Sequence, residues 1–528
     1  MSDLAVKVSP GSESTQKFRS QVGHISRQSG VFFAGAVFTA ALGYVFKVYL
    51  ARVLGAEDLG IFALGATLVG FLGIFNTLGL PQSAVRFVAS YQAAGRMKEL
   101  HALIWRGGTL LLVANVIFAC VLLVLGRFVA VSFYHAPKLV KYLPFFAVIL
   151  LFNVLNAFYG KVLAGYHDLQ LRTLIVNFIG SPLQMILAVL FISFVGLGLR
   201  GYLLAQIVTA LLVLVLLMMA VRRFTPQAAR FSELPASNPP REIWSFSASI
   251  LTLSIAEFGM AHADRVALGF YRSAREVGIY SVASAMVVYV PVVLSSINQI
   301  FAPMIADLHT RGEHVLLARL FQSLTKWVIA LTFPLALVII IFARPFMRIF
   351  GPGFESGWPI LVIGTIGQLV NCGVGSVGYL LLMSGNERRL MKVQFVMAAV
   401  MVAFSIALVP LWGIIGAAVA SATTNIGVNA WNLFEVRGSL GILPYNRGYL
   451  RLLLPSAVIL FVELLVKRYM NLFHHDWIAV ACALVSGYLI FAAIILLSGL
   501  DSDDRLIASA IWSRIRGGFA WIRPEAAA

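Results

Sequence analysis

Charge is what this chain has least of. Only 12% of its 528 residues are Asp, Glu, Lys or Arg, about half the share found in soluble domains. Cysteine is nearly absent too. Cys120, Cys372 and Cys482 are scattered through apolar segments; they have no metal-ligand spacing and cannot build a disulfide framework, so they read as small buried hydrophobes. No Gly-Lys-Ser/Thr phosphate loop occurs, which excludes ATP as the expected direct driver. No short apolar region with a cleavage site precedes Gly30, so no cleaved leader is expected and the first apolar segment should anchor itself. Acidic residues are the minority charge, 22 against 40 basic, for a net +18. The basic residues sit mostly in short loops beside apolar segments, as topology determinants do. Nothing alternates basic and aromatic residues on a soluble face, so nucleic acid is not an expected partner.

What is present is long hydrophobic runs. The chain is 60% hydrophobic with a mean hydropathy of +0.89. The runs are continuous rather than alternating, which favours membrane helices over a membrane barrel. The fold class is therefore an all-α polytopic membrane protein. Fourteen transmembrane helices are expected, at roughly 30–53, 58–81, 107–126, 142–165, 174–196, 199–221, 243–270, 278–302, 317–343, 357–384, 391–411, 413–436, 450–467 and 477–498, each near the ~20 residues a span requires. An N-inside orientation puts 24 loop Lys and Arg residues inside and 11 outside, so both termini are expected in the cytoplasm.

A short stretch recurs. Lys47–Phe62 reads K-V-Y-L-A-R-V-L-G-A-E-D-L-G-I-F, and Leu268–Tyr280 reads L-G-F-Y-R-S-A-R-E-V-G-I-Y. Gly60 matches Gly278 at an offset of 218, whereas Leu54-Gly55 matches Leu268-Gly269 at 214, which implies a second turn four residues longer. Pro81 and Pro303 likewise fall late in the second helix of each copy. Six helices precede the polar, Pro-rich stretch 222–242, so both copies enter the membrane in the same direction as parallel repeats. The expected organisation is a cytoplasmic segment 1–29, a six-helix lobe 30–221, a cytoplasmic linker 222–242, a second six-helix lobe 243–436, two additional helices in 437–498 and a cytoplasmic tail 499–528. The tail mixes Ile, Trp and Phe with Arg and suits either an amphipathic surface helix or a frayed basic end.

Five basic residues fall within expected spans: Lys47, Arg86, Lys161, Arg265 and Lys326. Each needs water, a partner or a bound anion, because a cation facing lipid is costly. Snorkelling to a helix end is the simpler explanation for Lys326 and a fair one for Lys161. Lys47 shares a face with Ala36, Ala40 and Gly43, a small-residue surface that permits close packing or leaves a cavity. At the 218 offset Lys47 superposes on Arg265, so each repeat would place a cation toward a shared centre. The seventh segment also holds Glu257, His262 and Asp264. Glu257 and Asp264 are seven apart and share a face; they read either as proton or cation carriers or as an internal salt-bridge set. Asn153 and Asn371 are among the uncharged polar residues inside spans, suited to interhelical hydrogen bonds or to a cavity wall. Gly373-Val-Gly375-Ser-Val-Gly378 fits a nucleotide-binding pattern but lies in an apolar segment, where tight packing explains it. His474-His475-Asp476 reads as a solvated loop rather than a metal site. No nucleophile with a base and an orienting acid emerges, so no catalytic residue is assigned.

The pattern A-R-V-L-G-A-E-D-L-G-I-F, followed by L-G-L-P at 78–81, and E-V-G-I-Y at 276–280 resemble the bacterial polysaccharide flippases of the multidrug/oligosaccharidyl-lipid/polysaccharide exporter superfamily. The resemblance runs from about Gly30 to Leu497. It implies a flippase, not an enzyme and without cofactors, that moves an undecaprenyl-diphosphate-linked oligosaccharide across the bacterial cytoplasmic membrane by alternating access. Membrane lipids and the polysaccharide polymerase machinery are the implied partners. Under it, Lys47, Arg86, Arg265 and Lys161, with Asn153 and Asn371, become candidates for binding diphosphate and sugar. Glu257 and Asp264 become candidates for ion coupling or gating. A lipid-linked peptidoglycan-precursor flippase and a multidrug cation antiporter are the rival readings; the surplus of basic over acidic residues within spans argues against the second.

Overall fold

The computed structural model describes residues 10–166, 168–224, 241–469 and 476–498. Among the described residues there is no strand. In chain order the helices are α1 (Pro10–Asn76), α2 (Leu80–Ala93), α3 (Met97–Phe128), α4 (Leu143–Gly165), α5 (Leu169–Thr173), α6 (Ser181–Val189) and α7 (Gly198–Phe224). After the linker come α8 (Arg241–Tyr271), α9 (Ala274–Val287), α10 (Val292–Thr310), α11 (His314–Ile341), α12 (Ala343–Arg348), α13 (Trp358–Val374), α14 (Val377–Met383), α15 (Glu387–Trp412) and α16 (Ile414–Leu440). The last described helices are α17 (Leu453–Arg468) and α18 (Asp476–Ser498).

Each of the fourteen expected segments falls on helix. Among the described residues, length and apolarity single out eight candidate spans, nine if the pair α9–α10, bent by 51°, counts as one. The others miss for local reasons. α8 carries Glu257, Asp264 and Arg265, α17 has only 16 residues, and α1 counts once although its backbone is broken at Gly55 (φ 76°, ψ 176°). Helix also begins at Pro10, within the stretch expected to be a polar lead-in. Residues 225–240 of the linker, the His474-His475 pair and the basic tail lie outside the described residues.

Two ends of the bundle differ. At one end, called the turn end, lie the Gly55 break and the connections α3–α4, α8–α9, α11–α13 and α15–α16. Here a single apolar core joins both halves of the chain, from Leu50, Leu64 and Phe146 to Leu268, Tyr280, Phe350 and Leu361. Toward the other end the core divides. Leu80, Val88, Phe158 and Leu217 pack within the first half, whereas Phe301, Phe321, Leu380 and Val436 pack within the second. Burial of apolar surface is what holds side chains together here, so the halves share one core at the turn end and pack largely within themselves beyond it, meeting again where α2 touches α8 near Gly79 and Ser247.

The second helix of each half is interrupted. After Asn76 the chain passes through Leu78 (φ 49°) and Gly79 (φ 66°) before α2 restarts with Pro81 in its first turn, where a proline loses no hydrogen bond. A Cβ on Gly79 would lie 2.5 Å from the Ser247 carbonyl oxygen, so glycine is needed both for its positive φ and for close approach of α8. Ser83 Oγ lies 2.8 Å from Ser247 Oγ. An interruption inside a membrane must satisfy its backbone internally, and Asn115 of α3 does this. Its Nδ2 donates to Leu111 O at 2.7 Å and reaches Asn76 O at 3.5 Å, while its Oδ1 accepts from Asn76 Nδ2 at 2.6 Å. Both asparagines are wholly buried. Asn115→Leu is expected to destabilise the fold by about 1–3 kcal/mol, and Asn76→Leu with Asn115→Leu by less than the two single changes summed, because a lone buried amide costs more than none. Thermal unfolding in detergent tests this; an additive double variant would refute it.

The counterpart of Pro81 is not Pro303, which lies inside α10 without ending it. The interruption of the second half falls at Val288–Pro291, and Pro291 caps α10. Three further expectations change. Cys372 is buried, but Cys120 and Cys482 are exposed on helix surfaces. Lys326 is 7% exposed, held inside the bundle rather than snorkelling. The expected helix 357–384 is broken at Gly375 (φ 76°), while the Gly373–Gly378 stretch packs tightly as expected, a Cβ on Gly375 meeting Thr325 Oγ1 at 2.3 Å.

Candidate functional site: a cleft closed at the turn end

The recurring stretch forms the closure itself. A Cβ on Gly60 would lie 1.6 Å from Ala274 O, and one on Gly278 would lie 1.8 Å from Ala56 O. Both pairings obey the 218 offset, so residue i meets j where j's partner meets i's, the signature of a two-fold relation. The same offset relates the two helix breaks, Gly55 and Ser273, and the buried pairs Leu50-Ala51 and Leu268-Gly269. The second turn is therefore no longer than the first, and the Leu-Gly match at 214 is coincidental. Ser273 caps α9 through a reciprocal pairing with Glu276, a common way to start a helix.

The flanking connections cross over. The α3–α4 connection of the first half brings Phe133 to 4.8 Å from Phe270 on α8. The α12 region of the second half brings Phe346 and Phe350 to 5.9 and 5.8 Å from Tyr44 on α1. Arg52 Nε donates to Ile349 O at 2.8 Å, and Arg272 Nη2 to Pro410 O at 2.9 Å. Exposed ion pairs rim this surface: Lys138–Glu57 at 2.6 Å and Arg348–Glu355 at 2.9 Å. Glu57 raises the Lys138 ammonium above its usual range by hydrogen bonding and charge, and the hydrogen bond from Arg348 lowers the Glu355 carboxyl below its own.

Away from the turn end, faces of α4, α8 and α1 pass from buried to accessible. On α4 the stripe Phe146, Leu150, Asn153, Ala157, Lys161 recurs at helical spacing. Phe146 and Leu150 are buried, Asn153 and Ala157 exposed, and Lys161 partly so. On α8, Leu268 and Asp264 are buried while Ala261 and Glu257 on the same face are exposed. On α1, Gly60, Leu64 and Thr67 are buried and Phe71 is exposed. Each of these faces packs into the protein at one end and is accessible at the other, and Asn153, Lys161 and Glu257 lie on the accessible parts.

The cleft's apex carries two cations. Lys47 and Arg265 each precede their helix break by eight residues, which places both about 12 Å from it at 1.5 Å per residue. They are close enough to interact electrostatically. Lys47 Nζ lies 5.4 Å from the centroid of the Tyr289 ring, whose hydroxyl approaches the Gly43 position at 3.5 Å. Arg265 Nη1 is 3.1 Å from His262 Nδ1, and its buried Nε has no hydrogen-bond partner among the described residues. Asp264, 5% exposed, accepts from the Tyr280 hydroxyl and, at 2.7 Å, from the Arg265 backbone N–H. Tyr280 is itself fully buried beside Ser421. Asp264 is thus tied into the closure, while Glu257, two turns away on the same face, stands open in the cleft.

The remaining expected residues lie elsewhere. Arg86 is exposed on α2, its guanidinium carbon 5.8 Å from the Phe87 ring centroid. It is about 45 Å of helix beyond Gly55, more than the roughly 30 Å of hydrocarbon, so it marks the far mouth and not the apex. Lys161 and Asn153 line the α4 wall. Asn371 is partly buried on α13 and donates to Gln368 Oε1 at 2.9 Å. Phe71, Phe258, Tyr280 and Tyr289 are site residues that charge and polarity did not single out; the 218 offset, carried past the turn, pairs Phe71 with Tyr289. No group of three or more His, Cys, Asp or Glu residues that could hold a metal ion occurs among the described residues. Two fixed cations below the turn-end closure, one from each half, carry the charge to hold a dianion.

Comparison with known proteins finds a family and a fold. The family described as polysaccharide biosynthesis protein matches residues 25–309. An uncharacterised membrane protein of Methanocaldococcus jannaschii is 22% identical over 75% of this chain and 80% of its own length. The succinoglycan biosynthesis transport protein ExoT of Rhizobium meliloti is 26% identical over 64% of this chain; the match spans 65% of that relative, just under two thirds. Among solved structures, an inward closed conformation of the lipid II flippase MurJ superposes with a TM-score of 0.69 at 16% identity, covering 88% of this chain and 98% of that one. An inward-facing conformation of a multidrug resistance transporter of the MATE family, in the MOP superfamily, superposes with a TM-score of 0.62 at 15% identity, covering 76% and 94%. These superpositions show a shared fold.

Proposed function

Because this chain belongs to the polysaccharide biosynthesis protein family, within the multidrug/oligosaccharidyl-lipid/polysaccharide exporter superfamily, we propose that it flips an undecaprenyl-diphosphate-linked oligosaccharide from the inner to the outer leaflet of the bacterial cytoplasmic membrane. The observation that carries this reading is the Lys47–Arg265 pair at the apex of the cleft. Unpaired like charges inside a membrane are costly to keep, and a diphosphate is the lipid-borne group whose charge they match. Arg86 at the mouth and Lys161 on the wall would draw the same anion inward, and the isoprenoid tail would stay in lipid between helices. Asn153 and Asn371 would meet sugar hydroxyls. Exposed Glu257 is the better-placed coupling residue, and Asp264 the gating one, because Asp264 is bound into the turn-end contact. The lobes would be 30–221 and 243–436, with helices in 437–498 added outside them. Positive-inside charge would put both termini and the open mouth in the cytoplasm, and the turn end on the outer side. Transport then alternates by parting the turn end and joining the far end.

Sealed proteoliposomes containing a fluorescent undecaprenyl-diphosphate oligosaccharide test the reading, with an impermeant quencher reporting leaflet exchange. Wild-type protein is expected to speed exchange well above protein-free vesicles. If it leaves this lipid unmoved and exports cationic dyes, the multidrug reading replaces it; if it prefers the peptidoglycan precursor, the substrate assignment falls.

A further inference from the structure

The two-fold relation of the apex is imperfect, and the imperfection is informative. At the 218 offset Tyr289 and Phe71 are counterparts, as are Lys47 and Arg265. Tyr289 lies beneath Lys47, so its ring is engaged by the cation. Phe71 is turned to a different use. It stands 5.6 Å from Phe75 and 5.5 Å from Phe258 of the other half, edge to face in both pairs. Phe258 in turn lies 4.8 Å from the His262 ring, and His262 touches Arg265. An aromatic row thus leads directly from one of the two cations. The row packs on α1 beside Gly70, whose Cβ position lies in ordinary contact distance, 3.5 Å from Phe258 and 3.9 Å from His262.

Phe71 remains 46% exposed, and it sits where its stripe passes from the closed interior into the cleft. An exposed aromatic surface between the two halves, one ring away from His262 and Arg265, suits a ligand with an apolar face and a polar rim. A pyranose ring has that character. Its C–H face is weakly positive and meets the negative face of an aromatic ring, while its hydroxyls point outward to water and to polar walls. Resting on the flippase reading above, we propose that Phe71 and Phe258, one from each half, form the stacking surface for the sugar attached to the diphosphate. The substrate is then oriented: isoprenoid on the Lys47–Tyr289 side, first sugar on the Arg265–Phe258 side.

Equilibrium binding to the purified full chain in detergent tests this with two probes carrying the same dye on the lipid tail. One is undecaprenyl diphosphate bearing a hexose disaccharide; the other is undecaprenyl diphosphate alone. Wild type is expected to bind the first more tightly. Phe71→Leu and Phe258→Leu should each weaken the first by about three- to tenfold, the range of an aromatic contact, and leave the second within about twofold. Phe71→Trp keeps a ring and should retain the preference, and matching thermal midpoints exclude misfolding. Equal losses for both probes, or no sugar-dependent preference in wild type, overturn the proposal. Leaflet exchange of both probes is followed in parallel. If wild type binds with the sugar preference but moves neither lipid, the flippase reading fails while the stacking surface stands.

Discussion

Gly60→Leu and Gly278→Leu should each nearly abolish transport while leaving a folded, membrane-inserted protein. A side chain at either position meets a backbone carbonyl, with the Cβ alone 1.6 Å from Ala274 O or 1.8 Å from Ala56 O. No rotamer relieves that, so the helices must part. Overpacking costs about 1–3 kcal/mol even where neighbours can yield, enough to lower the closed population by about ten- to a hundredfold. Alternating access needs that closed state in every cycle. Spin labels at Lys141→Cys and Ser356→Cys, exposed on opposite halves of the turn end, would report a longer separation in the leucine variants than in a cysteine-substituted parent. Gly73→Leu is the control, because nothing lies within 4 Å of its Cβ position. Unchanged label distances with full transport would show that the Gly60–Gly278 contact is not a gate.

The second large effect concerns the cations. Lys47→Ala and Arg265→Ala are each expected to reduce diphosphate affinity by about thirtyfold or more, since truncating one partner of a desolvated charge contact typically costs 2–5 kcal/mol. Their effect on the empty protein should have the opposite sign or none. Without an anion the two charges repel, so removing one should leave the melting temperature unchanged or raised. Undecaprenyl diphosphate should raise it in wild type, as any ligand specific to the native state does, and fail to do so in both variants. This pattern separates a binding site, kept at a cost in stability, from a structural pair. If Lys47→Ala melts lower and the ligand still stabilises it fully, Lys47 is a packing residue. Arg86→Ala, far from the apex, should slow entry and leave the ligand-induced shift in place.

The difference between Arg86 and Lys47 shows where sequence reading stops. Both are single basic residues in apolar stretches of sequence, and hydropathy weighs them alike. Depth along a bent, two-part helix separates them, and that depends on Leu78 and Gly79 adopting positive φ and on Asn115, a whole helix later, accepting the interruption. Glu257 and Asp264 are similar. Their seven-residue spacing places them on one face, as expected, but only packing of Tyr280 from α9 decides that one is locked and the other open.

Sequence alone determined the membrane class, the helical content, the recurrence of the Gly-Ile-aromatic turn and the short list of intramembrane charges. These are properties of composition and local period, and a bilayer leaves a hydrophobic chain few alternatives to helices. The tertiary structure decided the offset that relates the two halves, the identity of Gly60 and Gly278 as mutual contacts, and the placing of Phe71 and Phe258 beside Arg265. Each depends on which backbone comes within a few ångströms of which across some two hundred residues. No local preference encodes that distance; it is set when apolar faces from both halves compete for one buried core at the turn end while each half builds its own core beyond it.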